Sequence, residues 1–181
     1  MPDFPPIDPT APSLEPGETL DLSWEMFGEL CRALAFRIHR EYDPEIVLGI
    51  ARAGVIPGAV VASILGVDFY SMTISRREGG ERVRDRPAVL SAAPRRATDK
   101  RVLIVDEITS SGETLRLALA AARDVHSSEV RTATSFVRPS GYKPDYFALE
   151  TGAEIIFPWD RKIVVGDELV VNPRYRGILD E

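Results

Sequence analysis

The run Val102 to Val105 is uninterruptedly apolar and stops at two adjacent acids, Asp106 and Glu107. A short apolar run without alternation is a strand covered on both faces. Carboxylates find no solvent inside such a strand, so the pair marks the point where it emerges. Behind it come a loop of small and hydroxyl residues, "ITSS", and then the helical pattern "GETLRLALAAARDVH". The same unit recurs along the chain. "PEIVLGIARAG" is an apolar strand running into a small-residue turn, and "VIPGAVVASILG" is a helix that Gly66 stops. "VDFYSMTI", "EVRTATSFV" and "AEIIF" are further strands, the last ended by Pro158. Apolar strands alternating with helices predict an α/β fold with a doubly wound, mostly parallel sheet. In such sheets ligands bind beyond the carboxyl ends of the strands, where Asp106 and Glu107 stand.

Outside these units the chain divides as follows. Residues 1–20 carry six of the fourteen prolines and are expected to be an extended or disordered arm. The main domain is expected over 21–165. It opens with a helix whose Trp24, Phe27, Cys31, Leu34 and Ile38 recur at spacings of three and four, with Asp21 or Ser23 as its cap. Residues 75–100 lack a sustained period, contain Gly and Pro, and are expected to form a long flexible loop. Residues 166–181 are expected to be a C-terminal tail holding a short strand or two.

Several function classes are excluded. A net charge of −6 argues against binding nucleic acid through global charge. No apolar run approaches the ~20 residues that span a bilayer, and the N-terminus lacks the basic and apolar regions of a signal peptide. With one cysteine, Cys31, no intrachain disulfide forms, which suits a cytoplasmic protein and a buried thiol. His39 and His126 fall at helix ends and are assigned no chemistry. Neither G-x-x-x-x-G-K-[ST] nor G-x-G-x-x-G is present, so nucleoside triphosphate and dinucleotide loops are not expected.

Residues 109–114 precede a helix N-terminus, where free amides and the helix dipole favour an anion. Serine and threonine hydroxyls add donors, and Gly112 allows close backbone approach. A phosphate there with two acids beside it suits a phosphosugar, whose hydroxyls the acids would accept. Arg52, Ala53 and Gly54 follow another strand, with exposed amides and a fixed positive charge suited to a second anion.

Apolar strand, two acids, four mostly small residues, Gly, any residue and Thr: this order resembles the ribose-phosphate signature of the type I phosphoribosyltransferases. "GIARAGVIPGAVVASILG" is similar to their pyrophosphate loop and the helix behind it. "SFVRPSG" and "KPDYFALETGAEIIFPWD" are similar to segments of the bacterial xanthine-guanine and other 6-oxopurine members. The resemblance spans about residues 20 to 160 and leaves out the arm and the tail.

It implies transfer of ribose 5-phosphate from phosphoribosyl pyrophosphate (PRPP) to a nitrogenous base such as guanine, xanthine or hypoxanthine, with release of pyrophosphate. It implies a catalytic set of Asp106, Glu107 and Arg52. PRPP would be held by Arg52, Ala53, Gly54, Arg82, Asp106, Glu107 and the loop Ile108, Thr109, Ser110, Ser111, Gly112, Glu113 and Thr114. Arg84 is a second candidate beside Arg82. Between Arg76 and Arg101 nine Lys or Arg face four acids, and in the family a flexible loop here closes over the pyrophosphate.

Mg²⁺ is the implied cofactor, with Glu107 as the acid that touches it. A strained cis peptide is implied near Arg52–Ala53, a base-covering hood at about 142–165, and a homodimer or homotetramer. The implied base-binding residues are Ser110, Arg138, Glu154 and Ile155. Three of these depart from the 6-oxopurine pattern: Ser110 replaces an aspartate, Arg138 a lysine and Glu154 a stacking aromatic. Phe157 and Trp159 are expected to pack the hood. The departures leave open two other readings, a PRPP- or nucleotide-sensing regulator and a transferase for another base such as a pyrimidine.

Overall fold

The computed structural model describes residues 16–78 and 81–179. The strands and helices, in chain order, are β1 (Thr19–Asp21), α1 (Trp24–Glu41), β2 (Ile46–Ala51), α2 (Val55–Leu65), β3 (Asp68–Ser75), β4 (Arg77–Glu78), β5 (Glu81–Arg82) and β6 (Ala88–Ser91). These are followed by β7 (Arg101–Thr109), α3 (Glu113–Asp124), β8 (Glu129–Val137), β9 (Tyr146–Glu150), β10 (Glu154–Ile156), β11 (Lys162–Val165) and β12 (Glu168–Val171).

The apolar runs build a six-stranded sheet of order β6-β3-β2-β7-β8-β9, parallel except for β6. From β2 the chain moves through α2 to β3 on one side. It then returns to start β7 on the other side of β2. The loops after β2 and β7 therefore leave the sheet at its switch point, where a crevice opens between them.

Each face of the sheet has its own core. On one, α1 and α2 bury Phe27, Cys31, Leu34, Ile38, Val61 and Ala62 against Val47, Leu103 and Val105. On the other, α3 buries Leu115, Ala118 and Ala122 against Leu48, Ile50 and Ile104. The sheet is thus doubly wound. Ser23 caps α1, its Oγ accepting from the Met26 amide at 3.1 Å. Gly66 ends α2 in the left-handed region, at φ 69°. Trp24 departs from its expected burial: it is 59% exposed, because the first residue of α1 overhangs the core, meeting Phe27 edge-on and Trp159 at a tilt.

Four boundaries differ from the sequence reading. Residues 75–100 are not structureless: Ala88–Ser91 return antiparallel to β3, and β4 pairs with β5. The backbone pairs there although the side chains show no period, because β6 is an exposed edge strand. "AEIIF" does not join the main sheet. Its β10 pairs in parallel with β1, and β9 takes the place beside β8. The expected hood at about 142–165 is therefore divided between the sheet and the cavity wall. Of the expected arm, residues 1–15 lie outside the described residues, while 19 and 20 belong to β1. Residues 166–179 are no loose tail: β12 pairs with β11, and Tyr175 is fully buried.

Candidate active site at the sheet switch point

β2 ends at Ala51, and the Ala51–Arg52 peptide is cis, one bond before the expected position. The turn that follows brings Gly54 against β7. A Cβ on Gly54 would lie 2.4 Å from the Val105 carbonyl oxygen and 2.8 Å from the Asp106 Cα. Only a residue without a side chain lets this turn approach the acid pair this closely.

The acids differ in environment. The Glu107 amide donates to Asp106 Oδ1 at 2.8 Å. Burial pushes the Asp106 carboxyl up to about 6, and that hydrogen bond only partly offsets the effect. Glu107 is pushed up to about 8, first by burial, then by the neighbouring carboxylates of Asp106 and Asp160, with Arg174 pulling the other way. A buried acid crowded by two more is a place where added positive charge is stabilising.

Glu107 and Ile108 form one side of a cavity of about 440 Å³, and Arg52, Ala53 and Ile56 line it from the β2–α2 turn. Its remaining walls are Arg138, Ile155, Phe157, Trp159, Asp160 and Arg174. Phe157 and Trp159 stack at 4.8 Å, and Trp159 lies edge-on to Phe27 at 4.9 Å. They therefore pack the core and face the cavity together. Arg138 lines the cavity while its Nη1 donates to the carbonyls of Thr151 and Ala153, tying β8 to the segment leading into β10. Glu154 and Ser110, both expected at the base, do not line it; Glu154 is exposed and pairs with Arg174 at 3.1 Å. Period-two alternation turns Glu154 outward and Ile155 inward.

The loop after β7 leads into α3. Gly112 caps α3 at φ 74° with no side-chain hydrogen bond. Ser111 Oγ accepts from the Glu113 amide at 3.4 Å, a weak cap, and both serines are exposed. Across the loop the Tyr142 amide donates to the Ser110 carbonyl, and the Tyr142 ring fills the space a Gly112 Cβ would need. Thr114 lines a second cavity of about 320 Å³ with Ser75, Arg76, Arg77 and Arg82. Arg76, which sequence reasoning passed over, lines this cavity and pairs with Glu113 at the start of α3. Arg84 does not line it.

Asp160 and Arg174 were also missed. Asp160 lies two positions after Pro158, beyond the end of β10, where strand alternation no longer predicts orientation. Arg174 lies in a charged stretch with no apolar period. Among the described residues no cluster of three or more His, Cys, Asp or Glu could by itself hold a metal ion. Among the described residues no helix is long and apolar enough to cross a membrane.

The profile of the phosphoribosyl transferase domain matches residues 22–167. A xanthine-guanine phosphoribosyltransferase of Roseobacter denitrificans is 31% identical over 153 residues, covering 77% of this chain and 84% of that protein. Its namesake in Nitratidesulfovibrio vulgaris is 27% identical over 158 residues, covering 84% and 91%. The crystal structure of a purine phosphoribosyltransferase from Pyrococcus horikoshii superposes with a TM-score of 0.69 at 28% identity, covering 81% of this chain and 97% of that one.

Proposed function

The chain belongs to the phosphoribosyl transferase domain family, and on that premise we propose that it transfers ribose 5-phosphate from PRPP to a 6-oxopurine. The relatives named for xanthine and guanine support this substrate class. The observation that carries the reading is the approach of Gly54 to Asp106, which sets two anion-binding turns on either side of one acid pair.

In the proposed reaction the bond from ribose C1 to pyrophosphate breaks as a bond to a base nitrogen forms, and that nitrogen loses its proton. Asp106 and Glu107 accept the ribose hydroxyls. The amides and hydroxyls of 109–114 anchor the 5′-phosphate. Arg52 and the amides of Ala53 and Gly54 hold the departing pyrophosphate. The base enters the side lined by Ile155, Phe157 and Trp159, with Arg138 donating to an exocyclic oxygen. Arg82 and Arg76 stand over the second cavity as cations for the phosphate groups.

Mg²⁺ fits this donor set. Glu107 is a hard oxygen donor whose carboxyl is raised first by burial and then by the Asp106 and Asp160 carboxylates, and Asp160 is a second acid on the cavity wall. Two protein acids with substrate oxygens and waters make an ordinary Mg²⁺ shell. Bound there, the ion would neutralise the leaving pyrophosphate. A cytoplasmic homo-oligomer completes the proposal, and light scattering of the purified protein tests its assembly.

The decisive test is PRPP-dependent consumption of guanine, xanthine and hypoxanthine with Mg²⁺, beside orotate and adenine. Turnover of a 6-oxopurine supports the reading, and PRPP binding without turnover of any base overturns it. The double variant Asp106→Asn, Glu107→Gln should lower kcat/KM for PRPP by about 100-fold or more, equivalent to roughly 2.7 kcal/mol of transition-state stabilisation.

A further inference from the structure

The family profile ends at residue 167, yet the chain beyond it returns to the cavity. Two anchors seat it. Tyr175 is fully buried and its hydroxyl donates to Asp160 Oδ2 at 2.9 Å. Asn172 Nδ2 donates to the Asp160 carbonyl at 2.9 Å and to its Oδ1 at 3.1 Å. Between these anchors lies Arg174, on the cavity wall with Ile155 and Arg138.

The guanidinium of Arg174 is held in place. Its Nε donates to Glu154 Oε1 at 3.2 Å, Nη2 lies 3.1 Å from the same oxygen, and its Cζ stands 5.4 Å from the Tyr175 ring centre. Two nitrogens on one carboxylate oxygen set the orientation of the plane as well as its position. Glu154 occupies the position at which the resemblance implies an aromatic side chain stacked on the base, and its own side chain does not reach the cavity.

We propose that Arg174, oriented by Glu154, is a further base-contacting specificity residue of this protein, its planar guanidinium covering the purine where an aromatic ring would otherwise stack. The inference rests on the phosphoribosyltransferase reading. A guanidinium is flat, weakly hydrated and stacks on π-faces, so it can replace a ring; an ammonium cannot. The C-terminal segment is then part of the acceptor site, supplied from outside the matched domain.

The test measures KM for guanine and xanthine, KM for PRPP and the melting temperature in wild type, Arg174→Ala, Arg174→Lys and Glu154→Ala. Stacking on a base is lost in Arg174→Ala, so its base KM should rise about tenfold or more. Its PRPP KM and melting temperature should stay unchanged. Arg174→Lys should remain impaired, and Glu154→Ala should raise the base KM by less. An unchanged base KM in Arg174→Ala, a rise confined to PRPP, or full recovery in Arg174→Lys overturns the inference. Wild type that consumes no base overturns the functional reading itself, and this is seen before any variant is compared.

Discussion

Glu107 is where residue chemistry and pH meet. Its ordinary value of 4.5 is raised to about 8 in the folded chain. Between those values the unfolded chain has released the proton and the native one keeps it. The unfolded state therefore binds fewer protons, and stability falls as pH rises through this window. Asp106, raised from 3.8 to about 6, acts in the same direction at lower pH. Glu107→Gln lacks the glutamate contribution. Its melting temperature relative to wild type should rise between pH 5 and pH 9, by about 3 °C for each kcal/mol relieved. A difference that stays flat with pH would show that Glu107 is ionised at no cost. The pair's identity was legible in the sequence; the crowding by Asp160 was not, because 53 residues separate the two along the chain.

Among the elements, the turn after β2 is fixed against β7 because Gly54 packs on Val105 and Asp106. In Gly54→Ala the new Cβ meets backbone atoms at 2.4 and 2.8 Å, which cannot rotate aside. The turn must move away from Asp106, at a cost of about 1–3 kcal/mol in stability. Denaturant unfolding should register that loss, and PRPP turnover should fall by more than the stability change alone implies. By contrast, Gly28 has open space around its would-be Cβ, so Gly28→Ala, in the middle of α1, should be neutral or stabilising by about 0.5–1 kcal/mol. The periodic elements α1, α2, α3, β2, β7 and β8 were all visible as apolar runs or three–four spacings. β6 and β9 were not, since an edge strand and a five-residue strand after Pro144 leave no clear period.

At the scale of the whole molecule, the segment after β12 closes the structure over Asp160. Tyr175 is buried with its hydroxyl on that acid, so Tyr175→Phe removes one hydrogen bond to a charged group, worth roughly 1.5–3 kcal/mol. Tyr175→Ala should cost about 3–5 kcal/mol, as a large buried ring is lost. Thermal melts of the two variants separate the polar and packing contributions. A Tyr175→Ala protein that melts like wild type would mean the C-terminal segment is not docked in solution.

The sequence by itself determined the sheet class, the acid pair on β7 and the small-residue turns that follow β2 and β7. Those features arise from residues close together in the chain, where period, glycine and charge act locally. Only the tertiary structure decided which side chains share a wall. It turned Glu154 out and Ile155 in, gave Trp159 both a packing and a lining role, and carried Arg174 from a stretch read as tail to the cavity. These outcomes depend on long-range packing around Asp160 and Tyr175, which leaves no periodic trace in the chain.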